Sequence, residues 1–241
     1  MLTVTNLSKR FGGFLAVNHL SFDVRPGEIL GLIGPNGSGK STTFNVIAGM
    51  LRPSGGSIRF LGAEVAGLPA HRICRSGIGR TFQIPRPFRK LSLVENVALA
   101  AYYGASGSIS RAQAHDRAEE ILGLVGLPVA TMAQTDGLGA AALKKLELAR
   151  ALASRPKLLL ADESLGGLDA TEIEHAAKLL ETIRSRMNVT IIWVEHIMGV
   201  LMSVVDRVIV LDHGEKIFEG LPNDAVRDAR VIEVYLGRQQ T

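Results

Sequence analysis

The stretch Ile29-Leu-Gly-Leu-Ile33-Gly34-Pro-Asn-Gly-Ser-Gly39-Lys40-Ser41 runs from an apolar segment straight into a GxxxxGK(S/T) phosphate loop, and a helix-like segment ending near Met50 follows. That order decides the fold. A strand delivers the chain to a tight turn, and Gly34, Gly37 and Gly39 let backbone N–H groups converge on one point. The next helix aims the positive end of its dipole at the same point. Lys40 is placed to reach the β- and γ-phosphates, and the Ser41 hydroxyl to ligate Mg²⁺. Pro35, Asn36, Ser38 and Thr42 complete the expected contact set. The motif in this setting predicts binding of a nucleoside triphosphate with Mg²⁺.

Strand and helix signals alternate outward from this loop. Thr3–Asn6, Asn18–Val24 and Ile58–Phe60 read as short strands separated by turns at Gly12-Gly13, Pro26-Gly27 and Ser54-Gly55-Gly56. They predict a small antiparallel layer beside the phosphate-loop strand. Residues 85–155 differ: rich in Ala, Leu and Glu, with breaks at Gly104–Gly107, Gly126–Pro128 and Asp136–Gly139, they read as an inserted helical subdomain. Residues 1–84 and 156–241 then form one α/β core with its β layer. In the second half, Lys157–Asp162 and Val189–Val194 read as buried strands, and Asp169 with Glu172 as a capping box. Asp212-His-Gly-Glu215 reads as the turn of a hairpin.

Bulk properties agree with one ordinary globular domain. The chain has 241 residues, 46% hydrophobic and 21% charged, and a net charge of +4. No apolar run approaches the roughly 18 residues of a membrane span. The first residues lack the basic and apolar segments of a signal peptide. Cys74 is the sole cysteine, which excludes internal disulfides and cysteine metal sites and fits a reducing cytosol. The modest charge permits nucleic-acid binding but argues for it only weakly, and no nucleic-acid partner is expected.

A phosphate loop needs a carboxylate for the metal and a group to activate water. Leu158-Leu-Leu-Ala-Asp162-Glu163 supplies both at the carboxyl end of a buried strand, where ligands of open α/β sheets collect. Asp162 holds Mg²⁺ in this reading, and Glu163 is the general base. Here the chain resembles, over essentially its whole length, the ATP-binding subunit of an ABC transporter, a P-loop NTPase. The resemblance assigns Gln83 in Arg80-Thr-Phe-Gln83 to the Q-loop, which senses the γ-phosphate and Mg²⁺. It assigns His196 to the switch histidine, Gly166-Gly-Leu-Asp169 to the D-loop, and Phe11 to the aromatic ring stacked on adenine, a role for which Phe14 competes. The remaining histidines have no metal-ligand spacing.

One landmark departs from the family. Its signature, Leu-Ser-Gly-Gly-Gln, aligns with Leu138-Gly139-Ala140-Ala141-Ala142, where only the leucine survives. Gly139 has no hydroxyl, and the alanines adopt positive φ less readily than glycine. In the family two such domains pair head to tail, each signature closing the partner's site, so an asymmetric pair is expected. Ser164 stands where the family commonly has proline.

Within the family, Phe11-Gly-Gly, Arg80-Thr-Phe-Gln, Leu-Val-Glu-Asn96 and Glu233-Val-Tyr-Leu-Gly resemble importers of branched-chain amino acids and related amides. The resemblance implies ATP and Mg²⁺ as cofactors and a peripheral seat on the cytoplasmic face of the inner membrane. It implies membrane-spanning subunits and a second ABC ATPase as partners, with a periplasmic or extracellular solute-binding protein acting indirectly. Ile84-Pro-Arg-Pro-Phe-Arg89 is the expected docking strip for a membrane subunit. The alternatives are the ATPase of lipopolysaccharide export, a soluble ABC ATPase of repair or translation, and a small P-loop kinase.

Overall fold

The computed structural model describes residues 1–104, 109–130, 133–162, 170–195 and 198–236, which fall into two compact units. The first comprises Met1–Ala70 and Thr190–Thr241, and the second His71–Val189.

The core of the first unit is a set of strands too apolar to face water on either side. β3 (Ile29–Ile33) and β8 (Thr190–Val194) are buried at every position, as expected of parallel strands covered on both faces. β3 pairs in parallel with β8 on one side and with β9 (Arg207–Asp212) on the other, and β10 (Glu215–Gly220) returns antiparallel to β9. The expected hairpin at Asp212–Glu215 is present. Arg207 anchors the outer strands: its guanidinium pairs with Glu28 at 2.8 Å, reaches the Asp23 carbonyl at 2.6 Å and meets Glu219.

The second sheet of this unit is antiparallel, in the order β2 (Phe14–Val24), β1 (Leu2–Phe11), β4 (Gly55–Phe60), β5 (Ala63–Glu64). β1 and β2 are longer than the alternation in the sequence predicts. Asn6 and His19 take left-handed φ of 49° and 46°, and register shifts follow Val4 and Leu7. Those bulges break the inward–outward alternation, so the pattern stops at Asn6 while the pairing continues to the Gly12-Gly13 turn.

The second unit holds the helical stretch. β6 (Ile78–Arg80) pairs in parallel with β7 (Leu158–Asp162), and α2 (Ala70–Ser76), which the sequence reading missed, leads into β6. α3 (Leu93–Gly104), α4 (Arg111–Leu124) and α5 (Ala140–Ala153) pack on one another through Leu93, Val97, Ala118, Leu122, Ala149 and Leu152. α4 opens with a reciprocal capping box between Ser110 and Gln113. α6 (Ala170–Met187) is the next helix along the chain. Among the described residues no helix is long and apolar enough to cross a membrane.

Candidate nucleotide-binding site

The loop after β3 is shaped by glycines that no other residue could replace without rearrangement. Gly34 has φ 147°, and a Cβ built there lies 2.1 Å from the Leu211 carbonyl oxygen and 2.6 Å from Ser38 Oγ. Gly39 has φ 105°, and its Cβ would lie 2.7 Å from the Ala16 carbonyl oxygen. The backbone is therefore packed from β9 on one side and β2 on the other. Gly39 is also the N-cap of α1 (Lys40–Ile47), and no side chain caps this helix. Gly39 offers no side-chain acceptor to the first amides of the helix, which suits an anion. Ser38 Oγ is buried with no partner among the described residues, a polar atom facing the loop in need of a ligand.

Lys40 lies across this turn. It is 6% exposed, and its Nζ donates to the carbonyls of Gly34 at 2.7 Å and Pro35 at 2.9 Å. Ser41 is exposed on the first turn of α1, with Thr42 beside it half-buried. Phe11 and Phe14 close the β1–β2 hairpin, facing each other in register with both rings exposed, and Lys9 Nζ sits 5.0 Å from the Phe11 ring. A cavity of about 610 Å³ runs between loop residues Pro35–Ser38 and α9 (Ala229–Leu236), with Arg230, Glu233 and Val234 on its far wall. Burial pushes the Tyr235 phenol up, against the pull of a hydrogen bond with the Gly34 backbone. The sequence reading did not find this contact of α9 with the loop.

The second unit carries the carboxylate. Asp162 is 4% exposed at the end of β7, where its N–H donates to Thr81 Oγ1 at 2.9 Å. The Thr81 N–H in turn donates to the Leu160 carbonyl at 3.0 Å. The strand pair thereby brings Arg80 onto Asp162, Nη2 to Oδ2, at 3.0 Å. Burial pushes the Arg80 guanidinium down, and Asp162 draws it back up. Gln83, three residues beyond Arg80, is exposed. Asp162 in this unit, and Ser41 in the first, are each hard oxygen donors of the kind Mg²⁺ selects, so the chemistry of either residue fits that ion. Glu163, Asp169 and His196 lie outside the described residues, as does Ser164; Glu195, before the histidine, is buried.

Leu138–Ala142, the stretch that the resemblance aligns with the family signature, leads into α5. Gly139 is its N-cap, with φ −69° and ψ 169° and no side-chain hydrogen bond, and Ala140 to Ala142 are already helical. The expected difficulty of alanine at positive φ does not arise, because none of these residues has positive φ. What the segment lacks is the hydroxyl.

The strip after Gln83 is held from behind. Asn96, fully buried in α3, accepts from the Phe88 N–H at 2.8 Å and donates to the carbonyls of Phe88, Leu91 and Ser92. Arg150 of α5 donates to the Arg86 carbonyl at 2.8 Å, pairs with Glu147 at 2.9 Å and lies 5.0 Å from the Phe88 ring. Burial pushes the Glu147 carboxyl up, and Arg150 opposes it. Ile84 and Phe88 remain exposed on the other side.

Known proteins resemble this chain over nearly its whole length. The model of the family described as ABC transporter matches residues 17–166. The chain is 35% identical to the high-affinity branched-chain amino acid transport ATP-binding protein LivG of Salmonella typhimurium, over 98% of both chains. It is 32% identical to the lipopolysaccharide export system ATP-binding protein LptB of Escherichia coli, over 98% of this chain and 97% of the other. Among solved structures it resembles the ADP conformation of MJ1267, an ATP-binding cassette of an ABC transporter, with a TM-score of 0.87, 26% identity and 99% of both chains covered. A phosphate loop shaped for an anion, a buried carboxylate at a strand end and this whole-length likeness have one reading: the chain belongs to the ABC transporter family, as an ATP-binding and ATP-hydrolysing subunit.

Proposed function

We propose that this subunit powers the import of branched-chain amino acids, or of related amino acids and amides. It works at the cytoplasmic face of the cell membrane, docked on membrane-spanning subunits and paired with a second ABC ATPase, while a solute-binding protein outside delivers the solute. The observation that carries this reading is the whole-length similarity to LivG, supported by Arg80-Thr-Phe-Gln83. The likeness to the lipopolysaccharide export ATPase is lower in identity.

In this reading the amides of Gly34–Ser41 and the Lys40 ammonium hold the β- and γ-phosphates, and Phe11 stacks on adenine. Ser41, Gln83 and Asp162 supply oxygens to Mg²⁺, which when bound neutralises charge on the phosphates. Glu163 takes a proton from the attacking water, and His196 contacts the γ-phosphate. Leu138–Ala142, within the helical subdomain assigned to residues 85–155, faces the partner ATPase as a signature without its serine. Residues Ile84–Arg89, rigid through two prolines and backed by Asn96 and Arg150, form the docking strip for the membrane subunit.

The test is purification of the tagged chain from membranes, identification of its companions, and reconstitution in proteoliposomes. ATP hydrolysis rising with leucine-loaded binding protein supports the reading. Companions belonging to a lipid exporter would overturn the solute assignment. Glu163→Gln is expected to bind ATP normally and stop turnover, and normal steady-state hydrolysis would remove Glu163 from its role.

A further inference from the structure

The Arg80–Asp162 pair puts a cation on the carboxylate that this reading gives to the metal. Both side chains are more than nine-tenths buried, at 9% and 5% exposure, so water screens the contact little. The pairing is dictated by the strands, because β6 sets Arg80 beside Leu160 and leaves its guanidinium reaching the strand end. The other side of the same guanidinium lies 5.0 Å from the Phe82 ring, and Gln83 is the next residue along the chain.

A carboxylate oxygen that accepts a guanidinium hydrogen bond is a weaker ligand for a divalent ion, and the fixed positive charge repels that ion. Removing the cation from a buried carboxylate leaves a charge that must be balanced again. Guanidinium and metal therefore compete for the same face of the carboxylate, Oδ2. A guanidinium that moves also changes its stacking on Phe82, which sits between Arg80 and Gln83.

We propose that Arg80 is a positioning residue acting as an exchangeable counter-ion: it balances Asp162 until a divalent cation arrives, is displaced from Oδ2 by that cation, and through Phe82 carries the arrival to Gln83. The proposal rests on the reading of Asp162 as the metal carboxylate. Arg80 thus sets the metal concentration at which the subunit responds, and it joins the metal site to the strip proposed to touch the membrane subunit.

The full chain, loaded with a non-hydrolysable ATP analogue, is titrated with Mn²⁺ and followed by electron paramagnetic resonance. Arg80→Met, which keeps the length and removes the charge, is expected to bind Mn²⁺ about tenfold more tightly than wild type. Arg80→Lys should stay within about threefold, and Asp162→Asn should weaken binding by about tenfold or more. Arg80→Met should also melt below wild type without metal and gain more in melting temperature than wild type when Mn²⁺ and the analogue are added. Phe82→Trp emission should respond to Mn²⁺ when Arg80 is present and not in the Arg80→Met background.

Unchanged or weaker Mn²⁺ binding by Arg80→Met, with Asp162→Asn still weakened, overturns the counter-ion role and leaves Asp162 as the metal carboxylate. Unchanged binding by Asp162→Asn overturns the carboxylate assignment and the Arg80 inference together. An equal drop in melting temperature with and without metal marks a purely structural ion pair and overturns the proposal. Where Arg80→Met does not fold, Arg80→Gln carries the same test.

Discussion

Asn96 is fully buried, its Oδ1 accepting from the Phe88 N–H while the two hydrogens of its Nδ2 are shared among the carbonyls of Phe88, Leu91 and Ser92. Asn96→Ala strands those backbone groups and opens a polar hole, at a cost of about 2–4 kcal/mol. The melting temperature should fall by roughly 5–15 °C, read by calorimetry. Asn96→Asp should fall further, because a carboxylate cannot donate to the carbonyls. At the loop, Gly34→Ala drives a Cβ to 2.1 Å from the Leu211 carbonyl, so ATP affinity measured by fluorescent-nucleotide titration should drop by about tenfold or more. The two positions differ in how far the sequence speaks for them. Gly34 is legible because its motif is local: eight consecutive residues carry the turn, the lysine and the hydroxyl. The contact of Arg80 with Asp162 was not legible, because it joins residues 82 apart and depends on which strands pair in parallel. Asn96 appeared only as part of a resemblance, since nothing in Leu-Val-Glu-Asn says that its amide closes a loop eight residues earlier.

Helix ends show the same limit one level up. α9 is capped by Asp228, whose Oδ1 accepts from the N–H of Arg230 at 2.9 Å and of Val231 at 3.3 Å, while Arg230 grips the carboxylate. The bond from the Arg230 side chain, joined by those amides, holds the Asp228 carboxyl below the usual aspartate range. A group depressed in the folded state stabilises above its unfolded pKa, about 3.9, and loses that contribution as pH falls through its lower folded value. Hydrogen exchange along residues 231–236 should therefore stay protected at neutral pH and lose protection only below about pH 4. Asp228→Ala should speed exchange there already at pH 7. Unchanged protection in that variant would show that packing against the loop, through Tyr235, holds α9 without its cap. The sequence offers Asp228 as one of many surface acids, and the helix it starts is too short to declare itself by periodicity. α5 is the opposite case. Its helical character is legible in the Ala-, Leu- and Glu-rich composition of residues 85–155, yet its side contacts through Arg150 to Arg86 and Phe88 are tertiary and silent in the pattern.

At the scale of the assembly, the two ends of the chemistry on this chain have unequal quality. Its phosphate loop keeps every element an anion requires: convergent amides, an uncapped helix start and a buried lysine. The segment proposed as its signature keeps a helix start and lacks a hydroxyl, with Gly139 at the N-cap and alanine in the first turn of α5. A positioned donor at a developing transition-state charge is worth about 2.7–4 kcal/mol, so a site closed by this signature should turn over roughly a hundredfold more slowly than one closed by an intact signature. In a pair with a different ATPase that keeps its signature, the fast site is the one on this chain's loop. Lys40→Ala here should then remove nearly all single-turnover hydrolysis, while the equivalent change in the partner should remove little; equal losses would count against the asymmetry. In a pair of identical chains both sites are slow, and the distinction is made by restoring the missing group. Gly139 already has the extended backbone that serine adopts at an N-cap, so Gly139→Ser adds the hydroxyl without disturbing α5. Its hydrolysis rate, measured with saturating ATP, should rise in the identical pair. In the mixed pair it should appear as new activity that survives Lys40→Ala, because the repaired signature serves the partner's nucleotide and leaves this chain's own loop untouched.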